Sequence, residues 1–286
     1  MREYQRALEI DPRSSGALGG LARAFDSLGK PADAEVAHRQ AITLRPGYWL
    51  TYSRLGNFYA AHGRYDDAEK QLKQVIALTP ESVWGYNGLG ALYYTLGRYP
   101  QAREMFERAL SIQPSYALYS NLGTLAFIQG QWAEAVAKFE QARALDDRDY
   151  VLWGNLGSAY HWLGQHDEQS REAWTKAVSL AEKQLVVNPR ETAVLLDLAS
   201  YYASLGNKDK ALECIRRAEM DAHKQPDLAV QVADVFVDLG DRERALDWIA
   251  TALRLGCPVG RIESAPSFKR LSSDPRYVAL VKTYRK

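Results

Sequence analysis

Five histidines, two cysteines and one glycine-rich stretch are the residues of this 286-residue chain whose types could do chemistry. His161 and His166 stand five apart across Gly164, while His38, His62 and His223 fall far from them. A metal site needs ligands gathered at fixed spacing, and no carboxylate is placed to complete one. The histidines therefore read as polar surface or groove side chains. Neither Cys214 nor Cys257 has a histidine or basic neighbour in an activating motif, so packing is their reading. The stretch "GGLARAFDSLGK" at 19–30 has the glycines of a phosphate loop. It lacks the Lys-Ser/Thr ending at the required spacing, and no strand precedes it. No Ser-His-Asp arrangement can be assigned. The expectation is a chain with no catalytic residue, no cofactor and no metal: not an enzyme.

Bulk composition narrows the classes further. Lysine plus arginine (36) nearly cancels aspartate plus glutamate (35), so a net charge of +1 provides no general attraction to nucleic acid or anionic lipid. Two cysteines are too few for a disulfide framework. No run of about eighteen apolar residues exists to span a bilayer, and the charged start "MREYQRALEIDP" has no signal-peptide core. Apolar residues at 47% suffice for a core. No direct nucleic-acid partner and no membrane insertion are expected.

The elements that would position any site are written in a repeated phrase. "LGNFYAAHGRY" at 55–65 returns as "LGALYYTLGRY" at 89–99, "LGTLAFIQGQW" at 122–132 and "LGSAYHWLGQH" at 156–166. Its second glycine recurs at Gly29, Gly63, Gly97, Gly130, Gly164, Gly206 and Gly240, in steps of 34, 34, 33, 34, 42 and 34. Eight residues before each stands Leu or Val followed by Gly or Ala. Downstream comes an alanine or serine: Ala34, Ala68, Ala102, Ala135, Ser170, Ala211, Ala245. Apolar spacing of three and four makes each unit two helices joined by a tight turn. The second glycine takes the left-handed conformation that closes the first helix. The first glycine costs roughly 1 kcal/mol against alanine in a helix interior, a cost tolerated if it lets the second helix approach. Tyr59, Tyr93 and Tyr160 are expected to fill the space between units, and Pro46, Pro80 and Pro114 to stop second helices.

This pattern resembles the tetratricopeptide repeat: a 34-residue helix–turn–helix with Leu-Gly, Tyr, Gly, Ala, Phe or Leu, Ala and Pro at set positions. Residues 86–114, "YNGLGALYYTLGRYPQAREMFERALSIQP", match nearly all of them. Units one, six and seven depart, with Ala22, Ala199 and Ala233 at the first glycine, and unit four ends in "LDDRD" without a proline. The fold expected is an all-α right-handed α-solenoid over residues 1–257. It comprises a partial leading repeat at 1–12, seven full repeats and a C-terminal helical cap at 258–286. The leading "REYQRALEIDP" reads as a second helix without its first, which implies a longer parent protein. The eight-residue excess before Gly206 falls in "HDEQSREAWTKAVSLAEKQLVVNP" and lengthens the second helix at about 167–188 by two turns. It serves either as an overhang or as an elbow. In the tail, Ser273 or Asp274 caps a helix with Pro275 at its first position. "LSSDPRYVALV" and "AEKQLVVNP" are similar to the endings of repeat arrays in bacterial signalling proteins linked to a kinase, cyclase or winged-helix module.

In the family, first helices line a groove that accepts an extended peptide or a partner's helix. Counted from the Leu-Gly pair, the amides Asn57, Asn87, Asn121 and Asn155 face inward, with Asp197 and Gln231 beyond. Tyr94, Phe127 and His161, joined by Trp162 and Trp84, supply aromatic surface. Amides donate to and accept from a peptide backbone, and aromatics anchor side chains. Tyr94, Phe127 and Trp162 could equally be packing between repeats. Arg23 and Arg54 are the inward basic residues, too few for the family's carboxylate clamp. The function expected is a protein–protein interaction scaffold with a protein or peptide ligand. The alternative is the regulatory half of a larger signalling protein, with homodimerisation possible. A soluble chain is expected, cytoplasmic, or periplasmic if a transmembrane helix precedes Met1 in the parent.

Overall fold

A computed structural model describes residues 1–285. They form helices throughout, with no strand among the described residues, and divide into compact units at 1–125 and 126–286. The first unit contains α1 (Arg2–Ile10), α2 (Ser15–Ser27), α3 (Pro31–Leu44), α4 (Trp49–Ala61), α5 (Tyr65–Leu78), α6 (Val83–Thr95), α7 (Tyr99–Ile112) and most of α8 (Tyr116–Ile128). In the second are α9 (Trp132–Leu145), α10 (Tyr150–Leu163), α11 (Asp167–Val187), α12 (Thr192–Ser204), α13 (Lys208–Ala222), α14 (Pro226–Asp238) and α15 (Arg242–Arg254). After these come α16 (Val259–Ser264), a 3₁₀ turn at Ser267–Leu271, and α17 (Pro275–Tyr284).

Six of the seven turn glycines do what their spacing predicts, and Gly164 departs from it. All seven have φ between 69° and 80°. After them the chain folds back onto the helix it has left: Lys30 N–H donates to Phe25 O at 2.9 Å, Arg64 to Tyr59 at 2.9 Å and Arg98 to Tyr93 at 2.8 Å. These bonds satisfy carbonyls that a helix end leaves open. The fifth repeat is built differently. Gly164 has φ 79° and ψ 158°, a combination essentially confined to glycine. The left-handed role passes to Gln165 at φ 58°, the one non-glycine with positive φ among the described residues. The cause is local: α10 runs 14 residues where α4, α6 and α12 run 13, so its turn starts later.

The first glycines mark close crossings. A Cβ on Gly90 would lie 2.7 Å from the Phe106 ring, and one on Gly157 would lie 2.6 Å from the Trp174 indole. Ala102 of α7 is fully buried, as is Ala68 at the corresponding place in α5. Between repeats, the phrase tyrosine, where one is present, reaches back to a glutamate. Tyr59 donates to Glu35 at 2.8 Å and Tyr93 to Glu69 at 3.0 Å, and Arg64 and Arg98 of the "GRY" turns bond the same two glutamates. The second unit repeats this with Tyr160 donating to Glu140 at 2.9 Å and Tyr202 to Glu182. Glu182 lies beyond the last buried residue of α11, which is 21 residues long and leaves Val186 and Val187 more than four-fifths exposed at its end. Past the repeats, Ile262, Phe268, Leu271, Tyr277 and Val281 join the apolar core of the second unit, with Asp274 capping α17.

One buried acid is part of this packing. Asp197 of α12 accepts from the Tyr150 hydroxyl of α10 at 3.1 Å, beside the Tyr201 ring that Gly154 makes room for. Burial raises its pKa to about 6, against the partial relief of the Tyr150 bond. Its folded-state pKa therefore lies above its unfolded value.

Two outcomes follow from this packing. Gly90→Ala, despite placing the best helix former in a helix, is expected to lose about 1–3 kcal/mol through the clash with Phe106, read by thermal melting. Gly47→Ala, which meets open space, is the control and should stay within about 0.5 kcal/mol. Asp197 adds stability that is fully present below the unfolded carboxylate pKa near 4 and lost as pH rises through 6. Asp197→Asn should therefore melt higher than the wild type at pH 8, by an amount worth about 1–3 kcal/mol, and the difference should vanish near pH 4.

Candidate functional site

The inward amides and aromatics separate by environment. In the first unit, Asn87 and Asn121 come together, with Asn121 Nδ2 donating to Asn87 Oδ1 at 3.2 Å. They form a cross-repeat pair on the first-helix face. Asn57 is exposed on α4. Trp84 is 58% exposed and stacks on Trp49, with centroids 6.0 Å apart and planes 12° from parallel. Tyr94 is half-buried 6.1 Å from the Tyr99 ring. In the second unit, Asn155 is half-buried on α10.

Phe127, His161 and Trp162 converge in the second unit. Phe127, in the last turn of α8, meets Trp132 edge-on at 5.0 Å, and Trp132 stacks on Trp162 at 5.4 Å. His161 lies 6.0 Å from Trp162 and 5.7 Å from Trp174. Together with α12, α14 and the 3₁₀ turn they line a cavity of about 330 Å³. Trp162 also lines an adjoining hollow of about 420 Å³ that includes Trp132 and Lys269. The glycine spacing has a direct consequence for this site: Gly157 leaves the room that Trp174 occupies, so a helix-crossing device becomes a wall of the cavity.

Opposite the aromatics the lining is polar and acidic. Ser200 and Ser204 come from α12, Asp234 and Asp238 from α14, and Ser267 and Arg270 from the 3₁₀ turn. Arg270 reaches Asp238 at 3.4 Å, and its guanidinium carbon lies 5.6 Å from the Trp162 ring centre. Burial raises the pKa of Asp234 although Ser267 bonds it and Arg270 lies near. Confinement and the neighbouring Asp234 lift Asp238 to about 7, against the pull of Arg270. Asp234 Oδ1 is sealed from solvent and receives no hydrogen bond.

Sequence reasoning missed Trp132, Trp174, Asp234, Asp238 and Arg270. Trp132 ends a quoted phrase, where regular repeats place the tyrosine of "GRY". Asp234 and Asp238 lie two and six residues after Val232, in the same register as Ser158 and Trp162 after Leu156. Extending the inward frame to those offsets would have found both acids. Arg270 belongs to no repeat and carries no periodic signal. Cys214 and Cys257 are buried, and burial pushes the Cys214 thiol up to about 11, far from an activated thiolate.

Models of the tetratricopeptide repeat match residues 50–115, 120–173 and 192–219. No functionally curated protein matches the chain in sequence. Among solved structures, the APC/C hetero-tetramer Cut9-Hcn1 superposes with a TM-score of 0.64 at 15% identity over 99% of this chain, which spans about half (51%) of that one. A tetratricopeptide repeat protein from Parabacteroides merdae gives 0.59 at 15% identity, covering 96% of this chain and 99% of its own. MamA from Desulfovibrio magneticus gives 0.51 at 19%, covering 59% and 96%. At these identities the likeness is one of fold. No helix among the described residues is long and apolar enough to cross a membrane. The repeat frame, its glycine turns and the three matching segments establish the all-α solenoid class, and the chain belongs to the tetratricopeptide repeat family.

Proposed function

We propose that the chain works as a protein-interaction scaffold, seating an extended segment of a partner against the first helices of residues 126–286. The observation that carries this reading is the Phe127–Trp132–Trp162 cluster bordering open volume rather than sealed core. Large, partly exposed aromatics supply the anchors on which interfaces concentrate their binding energy. The serines and Asn155 of the same helices offer hydroxyl and amide groups to a peptide backbone. Repeat arrays are suited to this work because side chains on successive first helices are held at regular intervals by the stack itself. This reading needs no catalytic group.

The test is a displayed-peptide selection on the intact chain, followed by affinity measurement on Trp162→Ala and Phe127→Ala. Both variants are expected to keep their helicity and melting temperature while losing roughly tenfold to a hundredfold in affinity. Unchanged affinity in both would place binding on another surface.

A further inference from the structure

The hollow that adjoins the cavity has a chemistry of its own. Its volume is about 420 Å³, and two kinds of wall border it. One wall is apolar, with Trp132 of α9, Trp162 of α10 and Pro266 before the 3₁₀ turn. The two indoles stack with planes 24° from parallel, which gives one broad flat surface. The other wall is cationic, with Lys269 and Arg270 on the 3₁₀ turn. These two stand between Phe268 and Leu271, whose burial fixes the backbone that carries them. No carboxylate among the described residues lines the hollow; Asp234 and Asp238 line the neighbouring cavity instead. The Lys269 side chain is exposed and makes no ion pair among the described residues. Arg270 reaches Asp238 through one nitrogen at 3.4 Å, longer than a strong charge-assisted bond, and stays about half exposed. Neither the Trp132 nor the Trp162 indole N–H finds an acceptor among the described residues. Donors therefore dominate the lining, and the Gln129 amide is its one side chain that also accepts. Such a lining is complementary to a group that accepts and carries negative charge.

We propose that this hollow receives an acidic side chain of the partner polypeptide, with Lys269 as its main counter-charge and an apolar neighbour of that acid resting on the Trp132–Trp162 stack. The assignment rests on the scaffold reading above and adds to it the chemistry of the bound segment. Arg270, held by Asp238 and lying against Trp162, is the fixed second charge. Lys269 is a compact charge on a flexible stem, able to follow the carboxylate to its place.

The experiment follows the indole N–H signals of Trp132 and Trp162 by NMR in the intact chain. The probe is acetyl-Gly-Leu-Glu-Leu-Gly-amide, blocked at both ends so that the glutamate is its single charge. Its glutamine and lysine counterparts run beside it. The glutamate peptide is expected to shift both signals saturably, with the glutamine peptide roughly threefold to tenfold weaker and the lysine peptide weakest. Added salt should weaken the glutamate peptide and leave the glutamine peptide unchanged. Lys269→Glu changes an exposed residue, so its melting temperature should hold. In that variant the order should reverse, with the lysine peptide ahead of the glutamate peptide. If the variant melts early, the glutamate–glutamine comparison on the wild type decides alone. Equal binding of glutamate and glutamine, an unchanged order in a folded Lys269→Glu, or no shift from the glutamate peptide at its solubility limit would each overturn the assignment. The two readings fail differently. Displayed peptides that need Trp162 and Phe127 but bind Lys269→Glu undiminished overturn the acidic seat and leave the scaffold standing. Displayed peptides indifferent to Trp162 and Phe127 overturn the scaffold surface.

Discussion

How closely two helices cross is the constraint from which the rest of this molecule follows. Where Gly90 faces Phe106 and Gly157 faces Trp174, the missing Cβ is the space that the opposing ring fills. These two hairpins thereby bury an aromatic between their own helices, and Leu72 fills the same space against Gly56. At Tyr59, Tyr93, Tyr160 and Tyr202, tyrosine–glutamate contacts join a hairpin to the one before it. Tyr59 and Tyr93 are buried except at their hydroxyls, which reach Glu35 and Glu69 at the rim. The apolar ring supplies burial, and the polar tip fixes where along the preceding helix it rests. Arg64, whose guanidinium carbon lies 4.2 Å from the Tyr59 ring centre, holds the same glutamate and keeps that tip in register.

The second unit departs from these rules around its cavity. Its fifth repeat has a longer first helix, a stretched turn through Gly164 and Gln165, and a second helix of 21 residues. Its third phrase-aromatic is Trp162 rather than a small residue, and the "GQW" turn before it supplies Trp132 as a stacking partner. At the far side the tail does more than cover apolar surface. Phe268 and Leu271 anchor the 3₁₀ turn in the core, and that anchoring holds Ser267 and Arg270 at the cavity lining. The residues that stabilise the end of the array thus also present charge to its inner face.

Acids deprived of part of their hydration distinguish the second unit from an ordinary packing surface. Asp197, Asp234 and Asp238 all have raised pKa values, each with burial as the leading cause. A chain under selection for stability alone gains by replacing such groups, because an enclosed carboxylate loses hydration that neighbouring bonds only partly return. Asp197 is explained by its Tyr150 bond, and Asp238 by Arg270. Asp234 accepts a hydrogen bond from Ser267 and has Arg270 nearby, while its Oδ1 oxygen stays enclosed without a donor.

Much of this was legible in the residues. The seven glycine positions, their helical flanks, the tyrosines between repeats and the extended helix near 167–188 follow from spacing, because turn closure and close crossing are local demands on residue type. Of the inward residues, Phe127, His161 and Trp162 do meet around one cavity, whereas Asn87 and Asn121 bond each other and Trp84 pairs with Trp49. Tertiary structure alone decided that Trp162 should meet Arg270, more than a hundred residues away, and that Asp234 should lie enclosed with an unfilled oxygen. The physical reason is that a repeat encodes its register in a 34-residue period, while a cavity drawn from five helices and a non-repeating turn depends on how separate elements are held side by side, and no single segment records that.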